Sequence, residues 1–219
     1  MGLISHQSVG VIRLATILLF VGLSSLQASF SLAQVTTSIT PTTGVGDLGT
    51  RVTADGHTVQ ITGGTRPGNG TNLFHSFEQF SVGNLDTAKF LNTTPSLQTY
   101  NVLGRVTGNN PSSIFGTIDT TSYPGANLFL MNPAGIVFGP TAALNVSGSV
   151  AFTTADYLRL ADANGSNVGI FHADPTTASS FTSAPVAAFG FLGPNPAPIS
   201  VDGSNLKSQF DQSMTLVGG

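Results

Sequence analysis

The sequence predicts an all-β protein, and three observations support that prediction. Only 8% of the 219 residues are charged, against about 25% in an ordinary globular domain, and Ser, Thr, Asn and Gly replace them. Short runs rich in Val, Ile, Leu and Phe recur along the chain, each bounded by Gly, Asn, Pro or Ser. Helical periodicity is scarce, the best candidate being a short stretch at 153–160. Because Thr and Val favour strands while Asn and Gly favour turns, many short strands are expected.

The N-terminal segment 1–33 has the pattern of an export signal. An apolar run of 13 residues, 14–26, follows Arg13, and small residues ending at Ala33 match a cleavage site. We expect export by the Sec machinery and cleavage between Ala33 and Gln34. A membrane anchor is the alternative, but the run is shorter than the roughly 20 residues that span a bilayer.

The first predicted strands after the signal form a hairpin. In "RVTADGHTVQITGG", Val52 faces Val59 and Ile61 across Asp55-Gly56, and an Asp-Gly pair between alternating apolar residues is a strong hairpin signal. The hairpin is placed to cap the rest of the fold.

An aromatic segment, "NLFHSFEQFSV", follows a Gly-rich turn. Its spacing fits neither strict alternation nor a full helix, so a short aromatic strand or turn packed on a core is predicted. Burial in a core is favoured over an exposed recognition patch, because large aromatic side chains dominate burial. The residues concerned are Asn72, Leu73, Phe74, His75, Phe77 and Phe80.

Beyond residue 88 the sequence becomes repetitive: short apolar runs recur, such as "NVLGRVTG", "SSIFGTID" and "ANLFLMN". No crossover helices separate them, which excludes Rossmann-type units. Two architectures remain, a β-sandwich and a β-helix whose coils stack strand on strand. Small Gly and Ser at inward positions, and Asn at corners where side-chain amides can form ladders, favour the β-helix.

A tight turn divides "ANLFLMNPAGIVFG", residues 126–139, into two apolar strands. Asn132, Pro133 and Gly135 stand at the first, second and fourth positions, as a type I turn prefers. Pro presets φ, and the Asn side chain can bond the backbone two residues on. The turn is therefore predicted to be a corner between core strands, with Ile136 opening the second strand.

Composition and spacing exclude several classes of function. The net charge is −3 and the only lysines are Lys89 and Lys207, so the chain lacks the basic stripe that binds nucleic acid. No Gly-rich loop is followed by Lys-Ser or Lys-Thr, which excludes nucleotide enzymes with such a loop. The spacing of His75 from the other histidines does not fit a zinc site, and the chain has no Cys, so no metal or other cofactor is expected. Four acids could serve a carbohydrate-cleaving site as paired carboxylates, although turn and capping roles are commoner for such residues: Glu78, Asp119, Asp156 and Asp162.

The ordered motifs "NLFHSFEQFSV", "VLGRVTG", "SSIFGTI" and "ANLFLMNPAGIVFGPTAALNVSGSVAFTTAD" resemble the N-terminal domain of filamentous-haemagglutinin-type exoproteins. This domain is called the haemagglutination-activity or two-partner-secretion domain. The resemblance spans roughly residues 36–160. It implies a single-stranded, right-handed parallel β-helix with an N-terminal β cap, and no enzymatic activity.

The resemblance also implies a route and partners. A Gram-negative-type envelope would pass the chain through the periplasm and then, unfolded, through a dedicated outer-membrane β-barrel transporter to the surface or medium. The domain would be the secretion-targeting domain of a large adhesin-type protein. It would also nucleate folding outside the cell, coil by coil. On this basis 34–160 is expected to be the secretion domain, and 161–219 to hold further coils and a Pro-rich excursion in a truncated chain.

By position, Asn132, Pro133, Gly135 and Ile136 match the family's Asn-Pro-Asn-Gly-Ile signature, with Ala134 where Asn is usual. The family's other signature, Asn-Pro-Asn-Leu, is absent from the sequence. The aromatic segment then becomes a candidate for transporter recognition as well as for the cap core. A surface adhesin or structural protein that binds host or neighbouring-cell glycan directly stays open as the alternative function, and a β-helix glycan lyase or hydrolase as a third.

Overall fold

The computed structural model describes residues 35–219, and Ala33 and Gln34 of the predicted cleavage site lie outside the described residues. The first described strands build a β cap. β2 and β3 form an antiparallel hairpin in which Val52 lies opposite Ile61, which confirms the predicted hairpin. β1 pairs antiparallel with the first strand of the body, β4 (Asn72–Ser81). The cap elements are β1 (Ser38–Pro41), β2 (Thr50–Asp55), β3 (Thr58–Gly63) and a single 3-10 turn (Pro67–Asn69).

The body is a stack of parallel strands in three sheets. Their orders are β1-β4-β6-β9-β12-β17, β16-β10-β7 and β11-β8-β5-β3-β2. Each strand pairs in parallel with strands one turn of the chain earlier or later, which is the topology of a β-helix. The all-β parallel β-helix with an N-terminal β cap is therefore confirmed. The body strands are β4 (Asn72–Ser81), β5 (Thr87–Phe90), β6 (Asn101–Val106), β7 (Ser112–Ile114), β8 (Thr117–Asp119), β9 (Asn127–Met131), β10 (Ile136–Phe138), β11 (Ala143–Asn145), β12 (Val150–Thr153), β16 (Ile199–Val201) and β17 (Met214–Val217).

In-register stacking places like residues above one another. Leu73, Val102, Leu128 and Val150 occupy one row across β4, β6, β9 and β12, and all four are buried in the main core. Burying such a row stabilises the coil in proportion to the apolar area removed from water. In a neighbouring inward row stands Gly104, where a Cβ would lie 3.1 Å from Leu130, so a side chain there would crowd the core.

An antiparallel sheet leaves the β-helix after β12. Its order is β14-β13-β15, comprising β13 (Tyr157–Leu160), β14 (Gly169–His172) and β15 (Val186–Gly190). The short helix considered at 153–160 is wrong, because Leu158 and Leu160 alternate with half-buried residues along a strand that is paired on both edges. Period-two burial is the strand pattern.

This sheet covers the outer face of the first body strands and creates a second core there. Phe74 and Leu103 point out of the β-helix and are nevertheless fully buried. The chain then returns to the stack, where β16 pairs with β10 and β17 with β12. Within residues 35–219 no helix is long and apolar enough to cross a membrane. The second core consists of Leu48, Phe74, Leu103, Met131, Leu158, Leu160, Phe171, Ala173 and Ala184.

Candidate functional site

The signature turn joins β9 to β10 and is closed by a hydrogen bond from the Gly135 amide to the Asn132 carbonyl, 3.0 Å. The Asn132 side chain also accepts from the Ala134 amide at 2.9 Å, the bond two residues on that the sequence predicted. Ala134 does not have positive φ, so the turn is not type II, and Gly135 has φ of 114°, a value that favours glycine. The sequence prediction of a tight corner between two core strands is confirmed.

Asn132 is also a buried connector between coils. It is 0% exposed, and its amide nitrogen donates to the carbonyl of Asn110 at 3.1 Å and to Oγ of Ser112 at 2.9 Å. Both acceptors belong to the preceding coil. Ile136, at the start of β10, is fully buried between Ser112 of β7 and Ile199 of β16. The turn therefore fixes the corner to its neighbours rather than presenting Asn132 to solvent.

Pro133 and Ala134 are half-buried and line a cleft of about 590 Å³ beside the turn. The cleft is also lined by the end of β14 and by Leu192, a residue that is 75% exposed. A volume of this size is within the range of small-ligand pockets. The polar residues that line the cleft are Thr107, Asn109, Asp156, His172, Asp174 and Thr177.

The aromatic segment is a ten-residue strand, β4, and all six residues singled out in the sequence are buried. Phe77 and Phe80 lie in the main core, with ring centroids 5.0 Å apart. Phe74 faces the other way, into the second core. The strand thus has apolar residues on both faces, which explains why its sequence fits neither alternation nor a helix. In the folded domain these six residues form core, not an exposed patch.

Asn72 begins a ladder of side-chain amides that runs along one corner of the stack. Asn101 donates to Asn72 at 2.8 Å, and Asn127 donates to Asn101 at 2.9 Å. The Asn127 oxygen then accepts from the Ser149 amide at 2.9 Å. This is the corner ladder that the Asn content of the sequence suggested.

His75 is fully buried on the inward side of β4. Its Nδ1 lies 3.3 Å from Oγ1 of Thr50, and its Nε2 has no hydrogen-bond partner. Burial, reinforced by the positive charge of Arg66, lowers the pKa of His75 to about 3, so the ring is neutral in the folded protein. No group of three or more His, Cys, Asp or Glu that could hold a metal exists within residues 35–219.

The acids singled out in the sequence accept structural hydrogen bonds. Asp119 accepts from the backbone and hydroxyl of Thr121, and Asp162 accepts from the amides of Asn164 and Ser166. Asp156 holds the Leu192 amide at 2.6 Å. Asp119 and Asp162 therefore have the turn roles that are the commoner explanation for such residues, whereas the bond of Asp156 joins residues that are 36 positions apart; Glu78 is exposed.

Sequence reasoning missed Arg105, the largest fully buried side chain of the described residues. It lies in the buried strand β6, within the motif "VLGRVTG", and its guanidinium donates to Ser76, His172 and Gly46. A charged residue within an otherwise apolar predicted strand was the signal that could have identified it.

Two comparisons with known proteins found similarities to this chain. The family model described as "TPS secretion domain" matches residues 33–219. A structural match is the crystal structure of the HMW1 secretion domain from Haemophilus influenzae, with 20% identity and a TM-score of 0.48. That match covers 85% of this chain and spans 39% of the other chain. No curated protein sequence matches the chain.

The family match begins at the predicted cleavage site and extends well past residue 160, where the sequence motifs end. It includes the antiparallel sheet and the last described coil, β16 and β17. The family is one of secretion-targeting domains, not a catalytic one. The chain belongs to the TPS secretion domain family, the targeting domains of two-partner secretion.

Proposed function

We propose that this chain is the secretion-targeting domain of an exported adhesin-type protein and is recognised by an outer-membrane β-barrel transporter. The observation that carries the proposal is the family match over residues 33–219, on a β-helix whose signature turn is a buried, hydrogen-bonded corner. After Sec export and cleavage before Gln34, the chain crosses the periplasm unfolded and is delivered to the surface or medium.

Because the signature residues are buried in the folded domain, the transporter recognises them in the unfolded chain. Asn132 and the six residues from Asn72 to Phe80 are inaccessible once the domain has folded. In an extended chain they are exposed, and an extended segment can add as a strand to a sheet edge of the transporter's periplasmic domains. Burial on folding then removes the recognised segment and prevents its return.

The test is co-expression of residues 1–219 with and without a candidate two-partner-secretion transporter, followed by analysis of the medium for a product that begins at Gln34. We expect release only with the transporter. Release without the transporter would contradict the proposal, as would retention in the periplasm with each cognate candidate.

A matched pair of variants separates recognition from folding. Asn132→Ala changes the signature turn and removes three side-chain bonds, whereas Asn101→Ala removes two side-chain bonds from the amide ladder. If the turn is read by the transporter, Asn132→Ala lowers release more than Asn101→Ala at equal loss of stability. Equal loss of release from both variants would show that the turn acts through folding alone.

The cleft beside the turn favours a second candidate, direct binding of surface glycan. It joins neutral hydrogen-bonding side chains, Asn109 and Thr107, with the carboxylates of Asp156 and Asp174 around the exposed Leu192. Purified residues 34–219 would be screened on immobilised glycans. Binding that Asn109→Ala abolishes would support this candidate, and no binding to any glycan would remove it.

A further inference from the structure

The first body strands are joined to a segment more than a hundred residues later. Asn72, at the start of β4, donates from its side-chain amide to the carbonyls of Thr182 and Ala184, at 2.8 and 2.7 Å. Phe74, two residues on, packs against Phe171 and Phe181, with ring centroids 5.1 and 4.8 Å apart. These contacts join β4 to residues 171–184, which we call the latch segment.

Arg105 makes the same connection from β6. Its Nε donates to Ser76 on β4 at 2.9 Å, Nη1 to the carbonyl of His172 at 2.7 Å and Nη2 to the carbonyl of Gly46 at 2.8 Å. The carbon of its guanidinium lies 5.3 Å from the ring centroid of Phe171. One side chain therefore holds the cap, the β-helix and the latch segment together.

Arg105 as a whole residue is 2% exposed, and its guanidinium has no salt-bridge partner among the described residues. A buried charge is tolerated only when hydrogen bonds compensate for lost hydration. The hydrogen bonds of the guanidinium go to neutral groups, and one of these, the carbonyl of His172, is contributed by the latch segment. The negative charge of Asp174, in the same segment, also favours the charged form of Arg105. Before the latch segment docks, Arg105 lacks part of that compensation.

Two glycines show how closely the cap and β4 approach the latch segment. A Cβ on Gly70, just before β4, would lie 2.8 Å from the side chain of Ser183. A Cβ on Gly46 would lie 2.3 Å from that of Pro175. Real Cβ atoms do not approach other heavy atoms so closely, so these positions require glycine for the segment to dock.

We infer that the latch segment is a closing latch: β4 and β6 reach native stability only when residues 171–184 have packed on them. The inference rests on the proposed export of an unfolded chain. Whichever end of the chain emerges first, the first coils cannot reach native stability until β4, β6 and the latch segment are all on the same side of the membrane. The first coils are therefore not stabilised strictly one after another; they become stable when the contacts between Asn72 and Ala184 form. Until then the chain stays unfolded enough to pass through the transporter.

Native-state hydrogen exchange of purified residues 34–219, in increasing urea below the unfolding transition, tests the latch. We expect the amides of β4 and β6 to exchange together with those of the latch segment, as one cooperative unit. The latch would be overturned if the amides of the latch segment exchanged while those of β4 and β6 stayed protected.

A pair of variants tests the docking contact itself. Gly70→Ala has no backbone strain, since φ at its position is −72°, but its Cβ meets Ser183. We expect exchange of β4 and β6 amides to rise about tenfold. Gly193→Ala, with nothing within 4 Å of its Cβ, is the control and leaves these amides unchanged.

If Gly70→Ala fails to fold, Phe181→Ala gives a milder test, because Phe181 is only half-buried yet touches both Phe74 and Phe171. Unchanged β4 and β6 exchange in Phe181→Ala would overturn the latch. None of these measurements involves a transporter, so loss of the latch and loss of the proposed secretion function are separate outcomes.

Discussion

At the scale of single residues, Asn132 has two structural roles: it closes its own turn, and its buried side chain bonds to the preceding coil. Replacement by Ala removes the bonds to Ala134, Asn110 and Ser112. Each buried polar group left without a partner costs about 1 to 3 kcal/mol. We expect Asn132→Ala to lower the free energy of unfolding by about 3 kcal/mol, measured by urea denaturation.

The neighbouring Ala134 supplies the control for that experiment. Ala134→Asn restores the residue usual in the family at a half-buried position whose amide bond to Asn132 is unchanged. We expect a change of no more than about 0.5 kcal/mol. Equal destabilisation by the two substitutions would mean that the turn is sensitive to any change, not to the connector bonds.

His75 makes the free energy of unfolding depend on pH. Its pKa is about 3 when folded and near 6.5 when unfolded, so between these values the unfolded state binds a proton that the folded state does not. The free energy of unfolding therefore falls as the pH falls through this window. We expect a loss of about 2 to 3 kcal/mol between pH 6.5 and about 4.5 from this residue.

The measurement is urea denaturation at intervals across that range, in the native chain and in His75→Gln, which cannot titrate. We expect most of the slope to disappear in His75→Gln. His57→Gln, at a side chain that is 81% exposed, should retain it. A slope unchanged in His75→Gln would assign the pH dependence to other groups.

At the scale of elements, the amide ladder links consecutive coils at one corner. Asn101→Ala removes the central step and leaves the oxygen of Asn72 without its donor. We expect a loss of about 1 to 3 kcal/mol by urea denaturation. Asn145→Ala removes one bond at the exposed end of β11 and should cost no more than about 0.5 kcal/mol; equal costs would argue against a special role for the ladder.

The elements that the sequence predicted well are those decided by local chemistry. The Asp55-Gly56 hairpin and the Asn132 turn follow from residues within the turn and its adjoining strands. The antiparallel sheet and the second core were not predicted, because β13 pairs with β14 across a loop at 161–168 and with β15, which begins only at Val186, and neither pairing is set by residues within a short turn. The 153–160 segment looked helical because its second-core contacts cannot be read from local spacing.

The candidate site was predictable in part for the same reason. The sequence identified Asn132, Pro133 and Gly135 as a corner, but not the bonds that Asn132 makes to the previous coil. Arg105 could not be assigned a role, because its acceptors at Gly46 and His172 are distant in sequence and meet only in the folded chain. Local turn chemistry was therefore accessible, whereas partner choice across coils depended on tertiary packing.

At the scale of the whole molecule, stability rests on apolar rows and neutral hydrogen bonds rather than on ion pairs. Within residues 35–219 the ion pairs are His57 with Asp86 and Lys89 with Asp119, the latter at 4.0 Å. In each pair the basic side chain, His57 or Lys89, is exposed to solvent, so the pair contributes at most about 1 kcal/mol and is screened by salt. With 8% charged residues and a net charge of −3, long-range repulsion is also small.

We therefore expect the stability of residues 34–219 to be nearly independent of ionic strength. Between about 0.05 M and about 1 M NaCl, where the Debye length shrinks severalfold, the free energy of unfolding should change by less than about 1 kcal/mol. Asn101→Ala, which alters only neutral bonds, should show the same small salt dependence at its lower stability. A larger loss in high salt would mean that charge interactions hold the stack together, contrary to the amide ladder and apolar rows seen here.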